Sequence, residues 1–368
     1  MSAILSVRVH GSGHVGIRFD DGTESPMQEV RLDTAQRRMI ELFRDWLAEG
    51  WAKPEKRKIT RRRELEVLGM LLSARLFPGP LEGVLDQAVA AADRDDPLRV
   101  ELTFVDGAEP LAALPWEYLY RAGANGGGGY FLATDARVAL SRYIPLNRPI
   151  VPLAPEQPPL RLLATASKPT DEGPVREAET LAALAELATQ TPQVEVDVLE
   201  HPTGERLLEK LRSYQPHVVH LLAHGEYDPD TQEGSLALER EEGTAHWVPD
   251  HLLIELFRQA GATPHVVVLH ACEGGTVGSS AFAGLAPRLV DMGSEAVIAM
   301  QYPITNNAAS AFGAAFYAEL AKKRPIDAAV QTARWQMTVR RPQSYDTGEF
   351  AIPVLYLRSK ESTPVTVS

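Results

Sequence analysis

Cysteine is almost absent: Cys272 is the only one in 368 residues. One thiol excludes an internal disulfide and a cysteine-based zinc site, and it fits a reducing compartment, so the cytoplasm is the expected location. Long apolar runs are missing as well. No stretch approaches the roughly 18 to 20 consecutive apolar residues of a membrane span. The opening "MSAILSVRVHGSGH" has neither the charged start nor the apolar centre of a signal peptide, so no membrane insertion is expected. Positive charge is in deficit, with 37 Lys and Arg against 49 Asp and Glu. The net charge of -12 argues against general nucleic-acid binding. The one basic cluster, "KPEKRKITRRRELE" at 53–66, carries no interleaved aromatics and reads as a solvated helix start. Phosphate loops are lacking too. Gly126 to Gly129 are followed neither by Gly-Lys-Ser/Thr nor by a helix, and read as a hairpin tip. His217 and His220 are three apart on a strand and face opposite sides, which disfavours a metal site there. No cofactor and no metal are expected.

What is present is an ordinary globular composition, 44% hydrophobic and 23% charged, in a chain long enough for two domains. Residues 1–150 read as a mixed α+β domain, regulatory or docking in role. "ILSVRVHGSGHVGIRF" is patterned as a hairpin and "TAQRRMIELFRDWLAEG" and "RELEVLGMLLSARLF" as helices. "LRVELTFVDG" and "YFLATDARVALSRYI" add strands, and Trp116 and Tyr118 in "LPWEYLY" are candidate anchors. The proline-rich "PLNRPIVPLAPEQPPL" at 145–160 reads as the linker. Over 151–358 strands and helices alternate from "RLLATASK" to "PIDAAVQTARWQMTV". This pattern predicts an α/β fold, a mostly parallel sheet flanked by helices on both faces. "FAIPVLYL" is expected to close an edge of that sheet, "LEREEGTAHWVPD" at 238–250 to form a mobile loop anchored by Trp247, and 359–368 to be a flexible tail.

In open parallel sheets ligands gather beyond the carboxyl ends of the strands. Two strands end there in reactive groups: "HVVHLLAHG" in His224-Gly225, and "HVVVLHACEGG" in Cys272, Glu273, Gly274 and Gly275. If the strands are neighbours in register, imidazole and sulfur meet. Such a pair suffices for acyl transfer, because the imidazole takes the thiol proton and sulfur is the better nucleophile near neutral pH. The backbone N–H groups of Gly225 and Cys272 are candidates to hold the oxyanion, glycine leaving the approach open.

The segments "VVHLLAHGEYDPD", "GSLALE" and "VVVLHACEGGTVGSSAFAGLAPRLVDMGSEAVIAMQYPITNNAASAFGAAFYAEL" resemble the CHAT domain, a caspase-like group of clan CD cysteine peptidases. "LPWEYLY", "RVALSRYI" and "EAETLAALAEL" resemble segments that often precede that core in bacterial members, so the likeness covers about residues 110 to 340. Caspases carry a related Ala-Cys-x-Gly with the histidine about 50 residues upstream, as here. The resemblance implies His224 as general base and Cys272 as nucleophile. The residue two before the nucleophile helps line the substrate pocket in several such enzymes and is acidic where they cut after Arg or Lys. Here it is His270, which either lines that pocket or bonds a neighbouring loop. Asp171 and Glu172 in "SKPTDEGPV", and Glu273, are further substrate-side candidates, with helix N-capping the competing role for Asp171 and Glu172. Asp228 and Asp230 either polarise His224 or build a turn.

The reading that follows is a cysteine endopeptidase that cuts a protein substrate at limited sites. The resemblance adds an expected setting in bacterial signalling or defence, beside a sensor or activator, with a gasdermin-like pore-forming protein as a possible substrate. A non-catalytic caspase-fold scaffold is the alternative, against which both dyad residues are retained. Nucleotide sensing is suggested by the sheet alone.

Overall fold

The computed structural model describes the chain except residues 1–2, 31–32, 53–61, 106, 124–127, 146–158, 174, 176, 229–232, 262, 272–280, 303, 341–347 and 359–368. In chain order the first half contains β1 (Ile4–His10), β2 (His14–Phe19), β3 (Gln28–Glu29), α1 (Thr34–Ala52), α2 (Arg62–Leu76), α3 (Pro80–Ala91), β4 (Leu98–Val105), α4 (Glu109–Ala112), β5 (Tyr120–Arg121), β6 (Tyr130–Phe131) and β7 (Val138–Tyr143). The second half contains β8 (Leu160–Ala166), α5 (Ala178–Gln190), β9 (Val194–Glu200), α6 (Gly204–Tyr214), β10 (Val218–Ala223), β11 (Gly225–Asp228), β12 (Glu233–Glu239), β13 (Ala245–Pro249), α7 (Asp250–Ala260), β14 (Val266–Ala271), α8 (Ala281–Met292), β15 (Ala296–Met300), α9 (Asn306–Ala321), α10 (Ile326–Arg340) and β16 (Pro353–Leu357).

Eleven strands form one sheet in the order β3-β2-β1-β4-β7-β16-β15-β14-β10-β8-β9. β1, β4, β7 and β16 run parallel to one another, as do β15, β14, β10, β8 and β9, and the two blocks meet antiparallel where β15 pairs β16. The strands of the second block are apolar on both faces because helices cover both. Val218, Val266, Val268 and Ile298 pack with Leu184 of α5, Phe316 of α9 and Val330 of α10. Val219, Leu221, Val267 and Leu269 pack with Leu211 of α6, Phe257 of α7 and Leu289 of α8. The first of these apolar clusters continues into Leu5 and Val7 of β1 and Leu65, Leu68 and Leu72 of α2. Strands and core therefore run through the division expected near residue 150, which itself falls outside the described residues.

The segment "FAIPVLYL" does not close an edge. β16 is buried along its whole length and is the central seam between the two blocks. Arg334 of α10 explains part of that placement: its fully buried guanidinium donates to the carbonyls of Pro353 at 2.7 and 3.1 Å and of Leu140 at 3.0 Å, so it spans β16 and β7. Beside it, Arg142 donates to Glu117 at 2.7 and 3.1 Å and to the carbonyls of Ala112 and Leu114. Burial opposes the Arg142 charge, and the Glu117 carboxylate outweighs it, holding the guanidinium above its ordinary value. Trp116 and Tyr118 are the expected anchors, both fully buried, with Trp116 Nε1 donating to the carbonyl of Leu111 and Tyr118 Oη to that of Gly348.

The stretch 238–250 is not a loop either. Its ends belong to β12 and β13, which pair from Ser235↔Pro249 to Glu239↔Ala245 around a turn with Gly243 at φ 82°. Short apolar alternation in "GSLALE" and "AHWVP" outweighs the charged turn between them. With β11 these strands form a small separate sheet that leaves β10 directly after His224. Among the described residues no helix is long and apolar enough to cross a membrane.

Candidate active site

The parallel register brings the two motif-bearing strands side by side. β10 and β14 are hydrogen-bonded neighbours from Val218↔Val266 to Ala223↔Ala271. His224 follows Ala223 in the chain, as Cys272 follows Ala271. Cys272, Glu273 and the glycines after them lie outside the described residues, as does Asp230.

His224 is 2% exposed and held in one orientation. Its Nε2 lies 2.7 Å from the carbonyl oxygen of Gly173, an acceptor, so the proton of the neutral ring sits on Nε2. Nδ1 is then the lone pair. That atom is buried and has no hydrogen-bond partner among the described residues. The carbonyl of His224 accepts from Ala237 N–H at 3.0 Å, which fixes the backbone at the point where β10 turns into β11. Gly225 opens β11 opposite Leu236. A buried imidazole with one nitrogen committed and the other without a partner among the described residues is equipped to accept a proton from a neighbouring group.

Asp171 is not a helix cap: its Oδ1 accepts from Ala245 N–H at 2.7 Å, while Thr170 N–H donates to the carbonyl of Gly243. The loop that supplies the Gly173 carbonyl is thus fastened to the β12–β13 hairpin. Glu239 strengthens the same junction, accepting from Lys168 N–H at 2.6 Å and contacting His201 Nδ1 at 2.8 Å. Glu172 is half-buried beside the exposed Glu226. Partial burial first, then Glu172 and Asp228, push the Glu226 carboxyl above its ordinary value, so this rim is acidic. Asp228 closes β11 opposite Glu233.

His270 is buried, with Nδ1 directed to a second histidine of the sheet. Its Nδ1 is 3.4 Å from His220 Nε2, their rings stack at 5.6 Å, and Tyr317 Oη of α9 lies 2.9 Å from His220 Nδ1. Burial lowers His270 to about 4, and burial followed by His270 lowers His220 well below the ordinary imidazole value, so both are neutral near pH 7. His270 Nε2 is buried without a partner among the described residues. His217 faces away from this chain and accepts from Arg161 N–H on Nδ1 at 3.0 Å.

The fold is that of an α/β protein with a mostly parallel, helix-flanked sheet, and His224 is oriented at the end of one of its central parallel strands. The chain belongs to the CHAT domain family, whose domain matches residues 69–352, well over half of its length. No curated relative matches it. Among solved structures it is similar to separase in the Saccharomyces cerevisiae separase–securin complex, with a TM-score of 0.49 and 9% identity. That match covers 97% of this chain and 30% of the separase chain. It is also similar to the Arg specific cysteine proteinase gingipain R, with a TM-score of 0.48 and 10% identity over 90% of this chain and 76% of that one. A complex of Porphyromonas gingivalis RgpB pro- and mature domains matches with a TM-score of 0.45 and 11% identity, covering 91% and 78%.

Proposed function

We propose that the protein is a caspase-like cysteine endopeptidase in which Cys272 and His224 form the catalytic pair. The observation that carries this reading is the state of His224: Nε2–H is spent on the Gly173 carbonyl and Nδ1 is buried with no hydrogen-bond partner among the described residues, one residue past a strand pairing that ends at Ala223↔Ala271.

In this mechanism the Cys272 thiol gives its proton to His224 Nδ1 and the sulfur adds to the scissile carbonyl. The N–H groups of Gly225 and Cys272 hold the oxyanion. As the C–N bond breaks, the imidazolium returns its proton to the leaving amine, and a thioester remains on Cys272. Water, deprotonated by the same Nδ1, adds to the thioester carbon and releases the carboxylic acid and the thiol. The Gly173 carbonyl steadies the imidazolium through Nε2–H while it carries the extra proton. Glu172 and Glu273 act on the substrate side of this scheme, the acidic rim of Glu172 and Glu226 favouring a positively charged substrate segment, while His270 backs the site from within the sheet. The substrate is a protein cut at few sites in a cytoplasmic signalling or defence response, a gasdermin-like pore-former being one such partner.

The test is covalent labelling with peptidyl acyloxymethyl ketones, read by intact mass and peptide mapping. The reading expects one adduct per chain on Cys272, abolished in Cys272→Ala and strongly slowed in His224→Ala. Labelling that is equally fast without His224 would refute the pair.

A further inference from the structure

Three donor side chains converge on the far side of the small sheet from its origin at His224. Glu233 opens β12, and Asp250 and His251 open α7; each offers one ligand atom, and these atoms lie within 4.8 Å of one another. His251 Nδ1 and Glu233 Oε1 are 3.3 Å apart. Two ligands on a tetrahedral ion with bonds of about 2.05 Å are separated by about 3.3 Å, so this pair is already at ligand spacing.

Asp250 supplies the independent sign that something is to be bound. Its side chain is fully buried. Oδ1 accepts from Arg288 Nη1 of α8 at 2.6 Å, whereas Oδ2 is buried and has no partner among the described residues. A buried carboxylate oxygen is normally hydrogen-bonded or coordinated, because leaving it bare forfeits its hydration. Arg288 neutralises only part of the local charge. Two carboxylates against one guanidinium leave a net negative site, and the Arg288 side chain is 46% exposed.

We propose that Glu233, Asp250 and His251 bind a divalent cation of the zinc type, with water completing its coordination. The imidazole directs the choice, since oxygen-only sites suit calcium and magnesium while mixed imidazole and carboxylate sites suit zinc and its neighbours. The bound ion clamps the β11–β12 hairpin to α7. Because β11 begins at Gly225, directly after His224, the clamp stiffens the backbone that leaves the candidate base. This inference does not depend on the protein being a peptidase.

The experiment is isothermal titration of Zn2+ into the full chain carrying Cys272→Ala, which removes the only thiol as a rival ligand, and into the same protein with His251→Ala or Glu233→Gln added. The His251 side chain is 55% exposed and that of Glu233 37%, so neither substitution disturbs the core, and metal-free thermal melts check that the folds match. One ion per chain is expected, with affinity falling at least about tenfold in each variant. Absence of saturable binding up to about 1 mM Zn2+ overturns the proposal. Binding that survives either substitution unchanged overturns it as well.

Discussion

Acidification should unfold this protein through the imidazole pair beneath the strand ends. His270 is lowered to about 4 by burial, and His220 is lowered well below the ordinary imidazole value of 6.5 by burial and by His270. Between the folded and unfolded values the unfolded chain binds protons that the folded chain refuses. The contribution to stability is therefore complete above about pH 6.5 and is lost as pH falls towards about 4. For His270 alone, the step from pH 7 to pH 5 removes about 2 kcal/mol, and His220 is shifted in the same direction. The assay is urea denaturation at both pH values, comparing the wild type with His270→Gln, whose amide can still meet His220 Nε2 but cannot titrate. The pH-dependent loss should be smaller in His270→Gln by about 2 kcal/mol. An identical loss in the two proteins would show that His270 is hydrated or charged in the fold, and the linkage argument would fail.

Substitutions at three other residues probe the frame of the fold. Arg142→Met keeps the side-chain stem but strands the Glu117 carboxylate in the core, and should cost about 3–5 kcal/mol in urea titrations; a loss below about 1 kcal/mol would mean that water reaches the pair. Gly69→Ala places a Cβ 2.3 Å from the Tyr118 carbonyl oxygen and 2.4 Å from Tyr120 Cβ. It should destabilise by about 1–3 kcal/mol although alanine is the better helix former, and a neutral or higher melting temperature would contradict that contact. Asp171→Ala removes the acceptor for Ala245 N–H and should cost about 1 kcal/mol, while Asp171→Asn, which retains an acceptor oxygen, should stay near wild type; equal losses would assign the effect to charge.

Much of the architecture is legible in the chain because helix and strand periods alternate cleanly from Leu160 onward and the β1–β2 hairpin is announced by its Gly-Ser-Gly turn. Chain order does not carry sheet order, which is why β16, last in sequence, reads as an edge strand and lies at the centre. Short strands beside a run such as "EREEG" read as loop because local charge hides a pairing set by partners across the hairpin. The helix α3 also escapes the periodic reading, its glycine and proline at 79 and 80 resembling a turn more than a helix start. Of the candidate site, the adjacency of the His224 and Cys272 strands follows from the motif positions. The Gly173 carbonyl does not, since a backbone acceptor 51 residues from its histidine leaves no side-chain signature. The Glu233, Asp250 and His251 cluster is equally silent, joined by a hairpin and a helix start rather than by spacing.

The measurement that bears most directly on the proposed pairing of Cys272 with His224 is the pH dependence of iodoacetamide alkylation, followed by intact mass, in the wild type and in His224→Ala. With a single cysteine in the chain every adduct reports on Cys272. The account predicts rapid alkylation at about pH 6 to 7, well below the free-thiol pKa of about 8.5, and a loss of that rapid phase without His224. Alkylation that follows a free-thiol titration curve in both proteins would contradict it.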